Sequence, residues 1–274
     1  MTKHIVEDSV RGLSLARYLS RAWPMVPQRL FREALKKRDV RINGAKSGGD
    51  APVFAGDELT LYLDEKYLAP QAKILADEGD FFVAEKPAGL PVDADADGIG
   101  ADTLLTRAKR YCPSAALCHR LDAGTGGLCV LAKTEEARER IEGAFRTREV
   151  RKEYVAIAVG IFQERRAQLT HYLLKDEKTG TVRAYDAPIR GAKTAELEYE
   201  VLSEEAGLSR VRILLHTGRT HQIRVQLARV GHPLLGDDKY GNRLINREHR
   251  AESPRLWCAK IELFGKAYTS EPQF

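Results

Sequence analysis

The sequence predicts an α+β protein, a large sheet-centred domain preceded by a small α/β module, and three observations carry that prediction. Gln168 to Leu174, Thr194 to Leu202 and Leu208 to His216 show period-two or dense β patterning separated by polar turns. Near the amino terminus, Leu13, Leu15, Ala16 and Leu19, then Leu30, Phe31, Ala34 and Leu35, recur at helical spacing, with Pro24 and Pro27 between them. Asp64 to Lys73, mixed in charge and containing Pro70, reads as a connector. The expected division is a module over 1–64, a linker over 65–73 and a large domain over 74–274.

Within the module, two short helices lead to a strand at Val40-Arg41-Ile42 and an Asn43-Gly44 turn. Gly56-Asp57 then precedes an alternating strand from Glu58 to Leu63. From Arg29 to Lys46 the basic residues Arg29, Arg32, Lys36, Lys37, Arg38, Arg41 and Lys46 outnumber Glu33 and Asp39. Such a helix face is either a solvated charge run or a surface for a phosphate backbone.

The large domain opens with an apolar strand, Phe81 to Ala84, that delivers the proline-stiffened loop Glu85 to Val92 to a sheet edge. Asp93 to Gly100 is acidic and glycine-containing, and Asp102 is placed to cap a helix over 103–110. His119 to Thr134 is the stretch around which the chain is organised. Its second half, Gly127 to Lys133, reads as a buried strand; its first half sets a lone carboxylate, Asp122, between the basic pair His119 and Arg120 and a loop containing Gly124, Thr125, Gly126 and Gly127. An aspartate so placed is a turn former or a reactive group. No Lys-Ser or Lys-Thr follows the glycines and the G-x-G-x-x-G spacing is absent, which excludes a phosphate-cradling loop.

Thr134, with Glu135 and Glu136 behind it, supplies a cap and an acidic first turn for a helix to about Thr147. Lys152 to Gly160 is rich in β-formers and reads as a buried strand, with Tyr154 in the core. Thr220 is placed to cap a helix through Val230, closed by Gly231, with Ile223, Leu227 and Val230 as its buried stripe. His221 and Arg224 share the other side of its first turn. No acidic residue lies between His216 and Arg229, so a buried Arg224 requires a carboxylate from elsewhere. Arg247 to Arg255 reads as a polar loop and Leu256 to Ala259 as a strand.

A net charge of +5 is mild, but clustered cations suit a polyanionic partner. The four cysteines form no C-x-x-C pair and the seven histidines no H-E-x-x-H pattern, so neither a metal nor a cofactor is expected. No run approaches the roughly 18 apolar residues of a membrane span, so a cytoplasmic location without membrane association is expected.

His119-Arg120-Leu121-Asp122, followed by Thr125, Gly127, Leu128 and Ala132-Lys133-Thr134, resembles the signature of the RluA-type pseudouridine synthases, in which the aspartate is catalytic. Lys86-Pro87-Ala88-Gly89 is similar to a motif these enzymes carry ahead of the catalytic loop. Lys152, Tyr154, Ala156 and Gly160 match the motif whose tyrosine lies against the target base. Thr217 to Leu227, with Gly231 to Asp237 and Tyr240-Gly241, is the most specific match. Four positions depart from the pattern: Gly124 and Gly126 stand where Asp and Ser are usual, implying a more mobile loop, and Cys258 and Gln226 replace histidines. Over residues 10–63, the order helix, basic helix, Arg41-Ile42-Asn43-Gly44, Gly56-Asp57-Glu58-Leu59 resembles the RNA-binding domain named after the fourth small-subunit ribosomal protein.

The resemblance implies a mixed, largely antiparallel sheet with a cleft across it, and isomerisation of uridine in RNA, breaking the bond from ribose C1′ to N1 and forming one to C5. Asp122 would be the nucleophile, held charged and aimed by Arg224. Tyr154 would stack on the uracil, and whether it also takes the C5 proton stays open. Arg120 would fill the gap left by the flipped base, and His119, Thr125, Arg219, His221 and Gln222 would join the RNA-facing surface. Lys86, Arg29, Arg32, Lys36, Lys37 and Arg41 would contact phosphates. The implied partner is RNA, ribosomal RNA of the large subunit ahead of transfer RNA, with no obligate protein partner. The alternatives are a non-catalytic RNA-binding protein on the same fold and a hydrolase using Asp122 with His119 or His221. Joint retention of Asp122, Tyr154 and Arg224 argues against the first, and product length separates the second.

Overall fold

In the computed structural model the described residues are 2–6, 11–23, 26, 28–63, 72–94 and 102–274; most of the expected linker and of the acidic segment 93–100 lies outside them. The chain forms two units, Met1–Ala72 with Pro91–Pro113, and Lys73–Leu90 with Ser114–Phe274.

In the first unit the two predicted helices form as α1 (Leu15–Ala22) and α2 (Gln28–Lys37). Leu15, Tyr18 and Leu19 of α1 and Phe31 and Ala34 of α2 share one core with Trp23, Val40, Val53, Leu59 and Leu61. Strands β1 (Thr2–Ile5), β3 (Val40–Ile42), β4 (Ala45–Lys46) and β6 (Glu58–Leu61) form a sheet in the order β1-β6-β3-β4, and β2 (Arg11–Ser14) pairs with β5 (Pro52–Phe54). Asn43 and Gly44 both take positive φ, 48° and 82°, as a tight turn between β3 and β4 requires. The short helix α3 (Leu104–Lys109) is capped by Thr103, which accepts from Thr106 N at 3.0 Å, and not by Asp102 as expected. Asp102 is instead taken by the Arg107 fork, at 2.7 and 2.6 Å.

The second unit is built on one sheet. Its strands are β7 (Lys73–Asp77), β8 (Phe81–Lys86), β9 (Ala116–Leu117), β10 (Gly126–Ala132), β11 (Arg151–Val159), β12 (Arg166–Lys175), β13 (Val182–Tyr185), β14 (Lys193–Glu205), β15 (Leu208–Leu215), β16 (Leu256–Leu263) and β17 (Lys266–Thr269). The order runs β13-β12-β14-β15-β11-β16-β10-β8-β7, with β9 beside β10 and β17 beside β16. Among the described residues only β10 and β16 pair in parallel, through Gly126↔Trp257 and Gly127↔Cys258. The sheet is therefore mixed and largely antiparallel, as expected. Every residue of β10 is buried.

Helix α4 (Glu135–Arg146) starts where predicted, with Thr134 accepting from Ala137 N at 3.2 Å. Helix α5 (Gln222–Arg229) starts later than predicted: His221, at φ 53°, stands at its cap, and Thr220 does not cap it. Gln222 Oε1 accepts from Thr217 Oγ1 and Arg219 N, which ties the preceding loop down and delays the first turn. The helix also ends at Arg229, ahead of Gly231 at φ 89°, so Val230 is 37% exposed and leaves the buried stripe that Ile223 and Leu227 keep. A further helix, α6 (Arg243–Glu248), enters the start of the expected polar loop.

Candidate active site

The Asp122 loop closes as a turn through the backbone, Thr125 N donating to Asp122 O at 3.0 Å. The carboxylate is thereby left for another partner. Arg224, projecting from α5, reaches it with Nη1 at 3.2 Å. The expected pairing of a loop carboxylate with an arginine more than a hundred residues away is therefore present.

A third residue completes the arrangement, and the sequence alone did not single it out. Asp237 takes Arg224 Nε at 2.7 Å and Nη2 at 2.9 Å, and is itself fully shielded from solvent. It also accepts from Lys239 N and Tyr240 N, at 3.0 and 3.1 Å. Burial works against the guanidinium charge, but the hydrogen bonds and charge of Asp237, with Asp122 adding, outweigh it and raise the Arg224 pKa. The available signal was an acid within the motif Gly236-Asp237, close to an arginine needing a partner.

His221 stands beside this cluster. Its Nδ1 meets Tyr240 Oη at 2.7 Å and its Nε2 lies 4.0 Å from Asp122 Oδ2. Burial lowers its pKa against the opposing pull of Asp122. The Tyr240 ring lies 5.2 Å from the Arg224 guanidinium carbon. Arg224 is thus fixed by an ion pair at one end and bounded by an aromatic face.

Tyr154, on β11, is buried beside Cys258 of the neighbouring strand β16, with which it pairs directly. Burial, with the neighbouring Cys258, raises its pKa well above the ordinary tyrosine value. A phenol held protonated in this way suits a stacking ring better than a base.

Several expected RNA contacts turn inward. Lys86 is wholly buried, its ammonium donating to Leu90 O, Ala123 O and Pro87 O at 2.6, 2.9 and 3.1 Å, so it braces the Asp122 loop and does not meet phosphate. Desolvation lowers its pKa to about 8. Thr125 is buried in the turn and Gln222 is consumed by Thr217, Arg219 N and Glu196 O. Neither offers a group to RNA.

His119 Nε2 accepts from Val130 N at 3.0 Å and its ring lies against Phe145, centroids 4.6 Å apart. Burial, then the Lys152 charge, pushes its pKa down to about 3, so it is a neutral support for the loop. Arg120 is exposed. Arg219 is also exposed, with Nε donating to Thr194 O at 3.0 Å. In the first unit Arg29, Arg32, Lys36 and Lys37 are exposed on α2, while Arg41 lies with its guanidinium carbon 5.1 Å from the Tyr62 ring centroid.

Gly124 and Gly126 do not loosen the loop. A Cβ on Gly124 would stand 2.8 Å from Pro254 Cδ, and one on Gly126 would fall inside the Trp257 ring. Pro254 and Trp257 occupy the space that larger residues would need, so the loop is clamped. Among the described residues no group of three or more His, Cys, Asp or Glu is placed to hold a metal, and no helix is long and apolar enough to cross a membrane.

A partly exposed carboxylate gripped by an anchored arginine, next to a buried tyrosine on a mixed sheet, is a constellation for chemistry at an electrophilic carbon of a bound substrate. Residues 80–229 match the RNA pseudouridylate synthase family, and the chain belongs to that family. It is 32% identical over 254 residues to the ribosomal large subunit pseudouridine synthase D of Yersinia pestis, covering 87% of this chain and 76% of the relative. It is 26% identical over 254 residues to synthase C of Vibrio parahaemolyticus, covering 87% and 79%. Among solved structures it is similar to human RNA Pseudouridylate Synthase Domain Containing 1, with TM-score 0.62, 26% identity and coverage of 74% of this chain and 83% of that one. Human RNA Pseudouridylate Synthase Domain Containing 4 gives TM-score 0.61, 27% identity, and coverage of 73% and 88%. The protein is an RNA pseudouridine synthase of the RluA type, an isomerase.

Proposed function

We propose that this synthase isomerises uridines of large-subunit ribosomal RNA in the cytoplasm, with Asp122 as its nucleophile. The observation that carries the site assignment is the 3.2 Å contact between Asp122 and an Arg224 already fixed by Asp237. Such an arginine points the carboxylate without having to be ordered when substrate binds. The names of the Yersinia and Vibrio relatives support the choice of RNA.

The target base must leave the stack before a side chain can reach its ribose, and exposed Arg120, two residues ahead of Asp122, occupies the vacated position. The Asp122 carboxylate attacks C1′ as the bond to N1 breaks and its electrons pass to uracil. The freed ring turns against Tyr154, C5 bonds to C1′, and the ester electrons return to Asp122. N1 takes up a proton and C5 releases one, so the RNA keeps its length and mass. The first unit, with its exposed basic helix α2, adds a phosphate-binding surface of the kind named after the fourth small-subunit ribosomal protein.

The test is tritium release from ribosomal and transfer RNA labelled at uracil C5, with wild type and Asp122→Ala. Release by wild type alone supports the assignment, and the responding RNA class supports or overturns the substrate. No release from any RNA that the wild type binds overturns the function.

A further inference from the structure

Among the described residues, Lys152 on β11 has no counter-charge. It precedes Tyr154 by two residues on β11, so the two side chains share a face of the sheet, ~6.7 Å apart along the strand. Its Nζ lies 5.5 Å from the Phe145 ring centroid and 3.5 Å from the point where a Gly218 Cβ would stand. Its charge acts on the neutral His119 and the protonated Cys258. Among the described residues none accepts a hydrogen bond from Lys152 or forms an ion pair with it. Glu153, next in sequence, points to the other face and meets Lys260 at 3.6 Å. Burial lowers the Lys152 pKa, with Cys258 opposing only weakly.

A largely desolvated ammonium normally has a carboxylate or several carbonyls around it, as Lys86 does. Lys152 has an aromatic face, a glycine and a thiol. The missing acceptor is one that arrives with substrate. Two residues along a strand is also the scale on which a nucleotide's phosphate stands off from its base, and Tyr154 marks the base. A uracil carbonyl is the competing acceptor, but an ammonium in a site for a polyanion gains most from the full negative charge.

We propose that Lys152 binds a backbone phosphate of the RNA, at the target nucleotide or its immediate neighbour. This rests on the RNA-isomerase function above. The test uses a ribosomal RNA hairpin that releases tritium with the wild-type protein, prepared also with a single neutral methylphosphonate 5′ or 3′ of the target. Binding is measured across a salt series for wild type, Lys152→Gln and Lys152→Arg.

Lys152→Gln is expected to bind about tenfold more weakly, with the slope of log affinity against log salt shallower by about 0.9. Lys152→Arg should recover part of the affinity. One of the two methylphosphonates should weaken wild type by a similar factor and leave Lys152→Gln no weaker than before. Unchanged affinity and slope in Lys152→Gln, or methylphosphonate losses that simply add to it, overturn the proposal while tritium release stands. Should Lys152→Gln fold poorly by thermal melting, the wild-type measurements decide: if neither methylphosphonate weakens binding, the proposal fails. Absence of tritium release from every bound RNA overturns the function itself.

Discussion

Asp237 grips Arg224 at two points, 2.7 and 2.9 Å, whereas Asp122 touches it once, at 3.2 Å. The arginine is therefore anchored by Asp237 and presented to Asp122, the carboxylate proposed as nucleophile. Asp237→Asn should lower stability by about 3 kcal/mol, since it leaves a buried guanidinium short of its main partner. Asp122→Asn leaves that pair intact and should change stability by under about 1 kcal/mol while abolishing tritium release. Urea unfolding of both variants checks the asymmetry. Equal losses would mean that the anchoring is wrongly assigned.

His119 supplies a pH dependence whose sign follows from its burial. Its folded pKa, about 3, lies below the ordinary 6.5. Above pH 6.5 both folded and unfolded states hold it neutral and its contribution is complete. As pH falls from 6.5 toward 3, the unfolded chain takes a proton that the folded one refuses, and stability is lost. His119→Gln should lose stability less steeply over that window. Parallel curves of urea midpoint against pH would count against this.

Restoring serine at Gly126 should harm the protein, because the Trp257 ring fills that space. Overpacking of this kind costs about 1–3 kcal/mol. A second change, Trp257→Leu, should return part of the lost thermal stability in the Gly126→Ser background. An unaltered melting temperature for Gly126→Ser alone would show that the ring moves freely.

On α2, Arg32→Glu combined with Lys36→Glu alters exposed positions only. Stability should stay within about 0.5 kcal/mol of wild type. RNA affinity should fall, and the salt slope should become shallower by about two ions if each cation meets a phosphate. A filter-binding salt series reads both, and an unchanged slope would assign that face to solvent.

The elements were legible where local chemistry decides them. Thr134 caps α4 because threonine and two glutamates suffice to start a helix, and Asn43-Gly44 turns because both residues tolerate positive φ. Thr220 failed as a cap because the hydroxyl of Thr217 and the backbone amide of Arg219, in the same loop, recruit the Gln222 side chain first. Such competition has no signature in the spacing of residues.

The site was legible in its two principal members and less so around them. Asp122 and Arg224 stand out because an arginine without a local acid needs a carboxylate from elsewhere, and the family resemblance points to Asp122 as that carboxylate. Lys86, Thr125 and Gln222 are polar residues in motifs, and sequence position does not tell whether such a side chain faces RNA or its own backbone. All three hold the loops from within. The glycines at 124 and 126 looked permissive for the same reason: Pro254 and Trp257, which fill the space, lie more than a hundred residues away.

The insertion of β16 between β10 and β11 bears on when the enzyme comes to exist. Asp122 and Tyr154 leave the ribosome early, yet β16, which joins the strand after Asp122 to the strand that carries Tyr154, is made about a hundred residues later. A nascent chain ending at residue 250 contains Asp122, Tyr154, Arg224 and Asp237 but lacks the Trp257 wedge and the Cys258 partner, as well as the central rung of the sheet. A chain released at that point is therefore expected to release no tritium, although it carries all four side chains.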